Sequence, residues 1–146
     1  MYICKRFVIS SAMFNISTKS DYGLIVMVEL AKKYQKDYLS LSHIAKDKKL
    51  SSAYLVQIIQ PLIKANLIES KEGKGGGYKL LKKSSQISVL EIIEALEGPA
   101  NLVKCLQNSK VKCSCFIDCD IKKFWPVIIE DVKSVLRKRK LNDLIK

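Results

Sequence analysis

The segment SSAYLVQIIQPLIKANLIESKEGKGGGYKLL, residues 51–81, contains two hydrophobic patterns in succession. In its first half, apolar residues recur at intervals of three and four, which predicts a helix with one buried face; they are Leu55, Ile58, Ile59, Leu62 and Ile63. Ser51 is suited to cap this helix, because its hydroxyl accepts a hydrogen bond from a backbone N–H that has no helical partner. Pro61 predicts a kink or a fresh turn inside it.

The periodicity changes after this helix. Two short strands are predicted at Leu67–Ser70 and Tyr78–Leu81, and they flank a glycine-rich tip that carries Lys71 and Lys74. Glycine lets a backbone approach a ligand closely, and lysine side chains bind phosphate groups. The segment therefore predicts a β-hairpin whose tip suits an anionic ligand.

Two further helices are predicted upstream. The first begins at Ser20 or Asp21, either of which can cap it, and the second is short and is capped by Ser42. A brief strand is predicted between them, at Leu39 and Leu41. The helix capped by Ser42 and the helix capped by Ser51 are joined by a tight turn and together form a helix-turn-helix. The hairpin that follows them is its wing.

Two more helices are predicted after the wing. Ser88 and Glu91 have the spacing of a capping box, and the helix that they open ends at Gly98. The last helix carries a near-heptad apolar stripe: Ile121, Phe124, Trp125, Ile128, Val132 and Val135. The predicted fold class is mainly α with a small β-hairpin wing, a winged helix-turn-helix followed by a long C-terminal dimerisation helix. We expect the stripe to pack on a second copy of the chain, because readers of duplex DNA commonly dimerise.

These patterns divide the chain into four segments. Residues 1–12 are an N-terminal extension, either untranslated or disordered, because Met13 is a second candidate start. Residues 13–98 form the winged helix-turn-helix domain, residues 99–120 the cysteine-rich loop, and residues 121–146 the dimerisation helix and tail.

The chain is strongly basic. It has 26 Lys and Arg residues against 14 Asp and Glu, a net charge of +12, which favours nucleic acid first and a membrane surface second. No run approaches the roughly 20 apolar residues of a membrane span. No nucleophile–base pair, phosphate loop or carboxylate dyad predicts an enzyme. We expect a cytoplasmic protein that binds double-stranded DNA. We expect neither a membrane nor a small-molecule substrate among its partners.

Four of the five cysteines lie in CLQNSKVKCSCFIDC, residues 105–119. In a reducing compartment, clustered cysteines indicate metal or redox chemistry more often than disulfides. Thiolates are soft ligands that suit iron–sulphur clusters, of the 2Fe–2S or 4Fe–4S type, and zinc. Cys105, Cys113, Cys115 and Cys119 are the candidate ligands, but Cys113 and Cys115 are so close in the sequence that two ligands there would strain a shared site. A zinc-stapled basic nucleic-acid-binding or interaction module and a metal-free thiol-switch regulator are the alternatives.

The segment from Tyr54 to Leu80 resembles the winged-helix region of the bacterial IscR/NsrR family of transcription regulators. The matching motifs are Tyr54–Leu55 at the start of the recognition helix and Gly76–Gly77–Tyr78 at the end of the wing. The cysteine loop lies where that family holds an iron–sulphur cluster, and the resemblance covers residues 13–146. It implies a homodimeric repressor that binds promoter DNA and senses iron–sulphur status, nitric oxide or redox stress. Because Cys113 and Cys119 keep the spacing of the family's second and third cysteines, the resemblance implies that Cys105, Cys113 and Cys119 are the core ligands. The candidate fourth ligand is Cys115 or Asp21, which matches the position where relatives supply a carboxylate from the partner subunit.

The first turns of the proposed recognition helix and the wing provide the candidate DNA contacts. Gln57 can pair with adenine through two hydrogen bonds, and the remaining candidates are Ser51, Ser52, Tyr54, Lys49, Lys71, Lys74, Gly75 and Gly76. Three positions depart from the family pattern. Val56 replaces Glu, Glu72 replaces an Arg that can enter the minor groove, and Lys122 replaces a His that some relatives have after the last cysteine. Val56 predicts a different base preference, because it can contact a thymine methyl group but cannot form a hydrogen bond with a base edge. Glu72 would be repelled by phosphate.

Overall fold

The structure, a computed structural model, describes residues 16–33, 37–100, 102–103 and 119–145. Its helices are α1 (Thr18–Lys32), α2 (Leu41–Lys48), α3 (Ser52–Lys64), α4 (Val89–Glu97) and α5 (Trp125–Lys138), and its strands are β1 (Ile68–Lys71) and β2 (Gly77–Leu80). Single 3₁₀ turns are formed by Ser84–Gln86, Asp120–Lys123 and Leu141–Leu144. The predicted fold class, mainly helical with one antiparallel hairpin, is confirmed.

The hydrophobic core lies between the helices and the inner face of the hairpin. α1 packs on α3, α4 and β2, α2 packs on α3, and α5 packs on α4. Leu141, from the last 3₁₀ turn, is fully buried in the same core. Its backbone N–H donates to the carbonyl of Ile87 at 2.9 Å, and Val89 N–H donates to the carbonyl of Arg139 at 2.9 Å. The end of the chain is therefore fixed to the start of α4.

Serine side chains cap the first two helices, but at other positions than the sequence predicts. Ser17, rather than Ser20 or Asp21, caps α1 by accepting a hydrogen bond from Ser20 N–H. Ser40, rather than Ser42, caps α2 by accepting one from the N–H of His43. Each segment offers several capping residues within one turn, and only the point where the backbone leaves its extended conformation selects among them.

The predicted starts of the next two helices are confirmed. Ser51 accepts a hydrogen bond from Tyr54 N–H at 3.5 Å, and Ser88 and Glu91 form the predicted capping box. Partial burial would raise the pKa of Glu91, but hydrogen bonds from the N–H and hydroxyl of Ser88 hold it below its ordinary value. α3 runs through Pro61 to its end as one helix.

The C-terminal helix begins later than the apolar stripe predicts. The 3₁₀ turn Asp120–Lys123 comes first, and α5 starts at Trp125 with Pro126 in its first turn. Proline is favoured at this position, because the first N–H groups of a helix have no helical partner. The stripe therefore extends over a turn and a helix.

The turn between α2 and α3 contains a residue in the left-handed conformation. Lys49 has φ +55° and ψ +41°, and this backbone lets Leu50 N–H donate to the carbonyl of Ala45 at 2.9 Å. The left-handed conformation costs roughly 1–2 kcal/mol for a residue with a side chain, whereas glycine adopts it readily.

Replacement of Lys49 with glycine should raise the free energy of unfolding by up to about 1 kcal/mol, because it relieves this strain. Equilibrium denaturation in urea measures the change. Lys46→Gly is the control, since Lys46 is an exposed residue inside α2, where glycine costs about 1 kcal/mol. A Lys49→Gly protein less stable than the wild type would contradict the prediction.

Candidate nucleic-acid interface

The first turns of α3 present an exposed, mainly polar face. Ser51, Ser52 and Gln57 are exposed, and Val56 keeps 49% of its surface accessible. The opposite face anchors the helix in the core through four fully buried side chains, those of Leu55, Ile58, Ile59 and Leu62. The residues predicted to read DNA bases are therefore accessible on a rigidly packed helix.

Tyr54 differs from the other predicted contacts on α3. It is half-buried, and its ring meets that of Tyr22 of α1 edge to face, with ring centroids 5.7 Å apart and an interplanar angle of 83°. Such pairs contribute about 0.5–1.5 kcal/mol beyond their burial. Tyr54 therefore fixes α3 against α1. Sequence reasoning missed Tyr22, because no local pattern joins residues so far apart in the chain.

The wing is present where the sequence predicts it, with both strands shifted by about one residue. β1 and β2 pair antiparallel, and Lys71 lies opposite Gly77 at the tip end. Lys74 and Gly75 are exposed on the tip, and Gly76 is half-buried. The lysine-bearing loop is therefore accessible to a large anionic ligand.

A backbone bridge fixes the wing to the start of α2. Leu39 N–H donates to the carbonyl of Tyr78 at 3.0 Å, and Tyr78 N–H donates to the carbonyl of Leu39 at 2.9 Å. Gly77 has φ +147°, and a Cβ there would lie 2.6 Å from the carbonyl oxygen of Leu39. The predicted brief strand is thus limited to Leu39, since Leu41 already belongs to α2.

The outer face of the hairpin carries a cluster of polar side chains. The hydroxyl of Tyr38 donates to Glu69 at 2.9 Å. The ammonium groups of Lys71 and Lys79 lie 5.5 and 5.8 Å from the centroid of the Tyr38 ring. The hydrogen bond to the Glu69 carboxylate raises the pKa of the Tyr38 phenol above its ordinary value.

The lysines of the helix-turn-helix are not equivalent. Lys48 pairs with Asp47 at 2.9 Å and with Glu29 at 3.2 Å, and these carboxylates raise its pKa. Lys46 and Lys49 are exposed, and within the described ranges neither pairs with a carboxylate. These two lysines are therefore the better candidates for phosphate contacts.

Most of the predicted metal ligands lie outside the described residues: Cys105, Cys113 and Cys115. Cys119 is half-buried directly before the 3₁₀ turn, and its carbonyl accepts a hydrogen bond from Lys122 N–H at 3.1 Å. In the part of the chain that the structure describes, no three His, Cys, Asp or Glu side chains are arranged to hold a metal ion. The loop ligand set remains a prediction.

Asp21, the other candidate fourth ligand, lies exposed in the first turn of α1. Because Ser17 caps this helix, the carboxylate is not needed as a cap. No hydrogen bond or ion pair joins the Asp21 side chain to another described residue. Its carboxylate is accessible to a group outside its own helix.

The apolar stripe of the C-terminal segment is only partly covered. Ile121, Phe124 and Val135 are more than half exposed, and Trp125, Ile128 and Val132 are half-buried. Ile129 is the residue of α5 that is buried, and Lys133, one turn further along, pairs with Glu94 of α4 at 3.3 Å. Sequence reasoning missed Ile129, although its four-residue spacing from Trp125 is a helical signal.

Among the described residues, no helix has the length and apolar character required to cross a membrane.

Comparison with known proteins identifies the family. A family model described as "Rrf2: Iron-dependent Transcriptional regulator" matches residues 16–146. The "HTH-type transcriptional regulator CymR" of Bacillus subtilis is 39% identical over 129 residues, which cover 88% of each chain. The "HTH-type transcriptional regulator NsrR" of Bacillus licheniformis is 28% identical, covering 89% of this chain and 91% of its own.

Solved structures agree with this assignment. The structure of CymR, the global cysteine regulator of B. subtilis, matches with a TM-score of 0.74 and 40% identity, over 90% of this chain and 96% of that one. T. potens IscR matches with a TM-score of 0.67 and 31% identity, over 90% and 85%. These relatives are transcription regulators and not enzymes, and the resemblance to IscR and NsrR is confirmed. The chain belongs to the Rrf2 family of winged helix-turn-helix, DNA-binding transcription regulators.

Proposed function

We propose that this regulator is a cytoplasmic repressor that binds near-palindromic promoter DNA as a homodimer, and that an iron–sulphur cluster in its cysteine loop controls this binding. The observation that carries the DNA-binding mode is the exposed face of α3 beside a wing with accessible lysines. The observation that carries the control is the cluster of four cysteines between α4 and α5.

In this mode α3 enters the major groove. The amide of Gln57 forms two hydrogen bonds with an adenine, and the exposed Val56 contacts a thymine methyl group. Lys49 and the wing residue Lys74 bind phosphates, which positions the helix without reading sequence. Glu72 is exposed on the wing and repels phosphate, so the wing approaches the duplex through its lysines and glycines.

The donor set fits an iron–sulphur cluster. Cysteine thiolates are the usual ligands of such clusters, and Cys105, Cys113 and Cys119 would hold this one. Cys119 is half-buried next to the turn that contains Lys122 and Lys123, whose positive charges would offset the negative charge of a thiolate-bound cluster. The bound cluster would supply a redox-active group that reacts with nitric oxide or oxygen. Its fourth ligand is Cys115 or the partner subunit's Asp21.

The contacts of α4 provide a route from the loop to the DNA-binding domain. Glu94 accepts a hydrogen bond from Ala100 N–H, at the start of the loop, and pairs with Lys133 of α5 beyond the loop, both at 3.3 Å. Glu97 accepts a hydrogen bond from the hydroxyl of Ser20 of α1 at 2.9 Å. If these helices have two arrangements and the cluster binds one of them more tightly, it shifts the equilibrium between the arrangements by the difference in binding free energy.

A metal-free thiol switch is the second candidate for the control. The similarity to CymR favours it, because that relative is a regulator of cysteine. The cysteines would then respond by oxidation. A zinc site is the third reading, since zinc binds the same thiolate ligands.

The homodimer rests on the partly covered stripe of α5. Exposed large apolar side chains cluster on this segment, and contiguous apolar surface of this kind marks interaction sites in soluble proteins. We infer that the stripe of a second copy packs on it, which would place two recognition helices on successive turns of DNA.

The DNA-binding mode predicts different effects for base-reading and phosphate-binding residues. Gln57→Ala should weaken binding to the preferred duplex by about 1–3 kcal/mol and leave binding to unrelated duplexes nearly unchanged. Lys74→Ala should weaken both and reduce the salt dependence by about one released ion. Fluorescence anisotropy with a duplex that the wild type selects from a random pool measures both effects. Lys138→Ala, on α5, is the control, and equal effects of all three substitutions would contradict this mode.

The cluster predicts a brown protein after purification without oxygen, with iron and sulphide bound, bleached by nitric oxide or air. Cys105→Ser, Cys113→Ser and Cys119→Ser should each abolish the visible absorption, because each removes a thiolate ligand. Cys4→Ser is the matched control and should keep it. Cys115→Ser and Asp21→Ala then identify the fourth ligand.

A wild-type protein that stays colourless after anaerobic reconstitution with iron and sulphide would refute the cluster. One zinc ion per chain would then support the zinc site, and DNA binding that depends on disulfide formation would support the thiol switch.

The dimer predicts that Phe124→Glu produces a monomer, because it places a charge in an apolar interface. Sedimentation velocity of the wild type and the variant measures this. Arg137→Glu is the control, because Arg137 is exposed and lies two and a half turns after Ile128, on the face of α5 opposite to the stripe. A monomeric wild type, or two variants that behave alike, would contradict the proposed interface.

A further inference from the structure

The outer face of the wing holds two lysines over one aromatic ring. Tyr38 directly precedes Leu39, whose backbone bridges to Tyr78 of β2. Successive side chains of an extended chain point to opposite sides of a sheet, so Tyr38 lies on the face opposite to Leu39. Lys71 and Lys79 approach its ring on this face, with their ammonium groups 5.5 and 5.8 Å from its centroid.

The acidic residue of this face is engaged by the phenol instead of by the lysines. Glu69 lies directly opposite Lys79 in the strand register, an arrangement that ordinarily favours a cross-strand ion pair. Its carboxylate instead accepts the hydroxyl of Tyr38 at 2.9 Å. In the described structure, neither Lys71 nor Lys79 has a carboxylate within ion-pair distance.

The ring holds the two ammonium groups without neutralising them. A cation over the face of a tyrosine is attracted by the ring quadrupole and keeps its full charge. An ion pair with Glu69 would cancel that charge. Restricting two flexible lysine side chains in the free protein also reduces the entropy that they lose when they bind an anion.

We propose that Tyr38 is a positioning residue for DNA binding, which holds Lys71 and Lys79 on the outer face of the wing for contact with phosphodiester oxygens of the duplex. This inference rests on the proposed DNA-binding mode. It adds Lys79 to the phosphate contacts, and it requires only that the Glu69 carboxylate stays engaged by the phenol of Tyr38 and not by the two lysines.

A mutant cycle tests the proposal with a duplex that the wild type selects from a random pool. Tyr38→Leu should weaken binding about two- to five-fold, the size of an exposed cation–π contact, because it removes the ring and releases Glu69 to pair with the lysines. In a Lys71→Ala, Lys79→Ala background, Tyr38→Leu should have no further effect. The combination Tyr38→Phe with Glu69→Gln keeps the ring and removes the acid, so it should bind at least as tightly as the wild type.

The outcomes separate this inference from the DNA-binding mode itself. If the wild type selects no duplex, both fail. If it selects one and Tyr38→Leu binds with unchanged affinity, or weakens binding equally with and without the two lysines, only the positioning role fails. Thermal unfolding of each variant shows whether it is folded. If Tyr38→Leu does not fold, the combination of Tyr38→Phe with Glu69→Gln tests the proposal instead, because weaker binding by that combination would refute the role of the ring.

Discussion

The close packing of α1 on α4 at Gly23 is the contact on which the positions of the other parts depend. A Cβ at Gly23 would collide with a terminal methyl group of Leu96, so the glycine leaves room for the present packing of the Leu96 side chain against α1. The approach brings Ser17 and Ser20 within hydrogen-bond distance of Glu97. The first turn of α1 is therefore joined to the last turn of α4, which leads into the cysteine loop.

Four successive residues of α1 have four different environments as a result. Ser20 binds Glu97, Asp21 is exposed to solvent, Tyr22 packs against Tyr54 of the recognition helix, and Gly23 accommodates Leu96. One helical turn thus contacts both the DNA-reading helix and the element that precedes the cysteines. In the proposed control, this turn of α1 is the route from the loop to α3, because it contacts both α4 and α3.

The wing depends on backbone contacts for its position and on side chains for its charge. The bridge between Leu39 and Tyr78 attaches the hairpin to the start of α2 through backbone hydrogen bonds, and the lack of a Cβ at Gly77 leaves room for it. The available charge then depends on which carboxylates are already engaged. Glu69 is held by Tyr38, and Asp47 is held by Lys48. A net charge of +12 does not reveal this distribution, because screening and pairing act between neighbours in space.

The sequence by itself determined the helix-turn-helix, the wing, the capping box at Ser88 and the family, because caps, turns and apolar periods act over a few neighbouring residues. It placed the caps of α1 and α2 wrongly, where several serines compete within one turn. Only the tertiary structure decided that Tyr54 is held by Tyr22, that Leu141 closes the core, and that Tyr38 joins Glu69 to two lysines of the wing. The physical reason is that these contacts join residues distant in the chain, which only the folding of the whole chain brings together, so they leave no local pattern in the sequence.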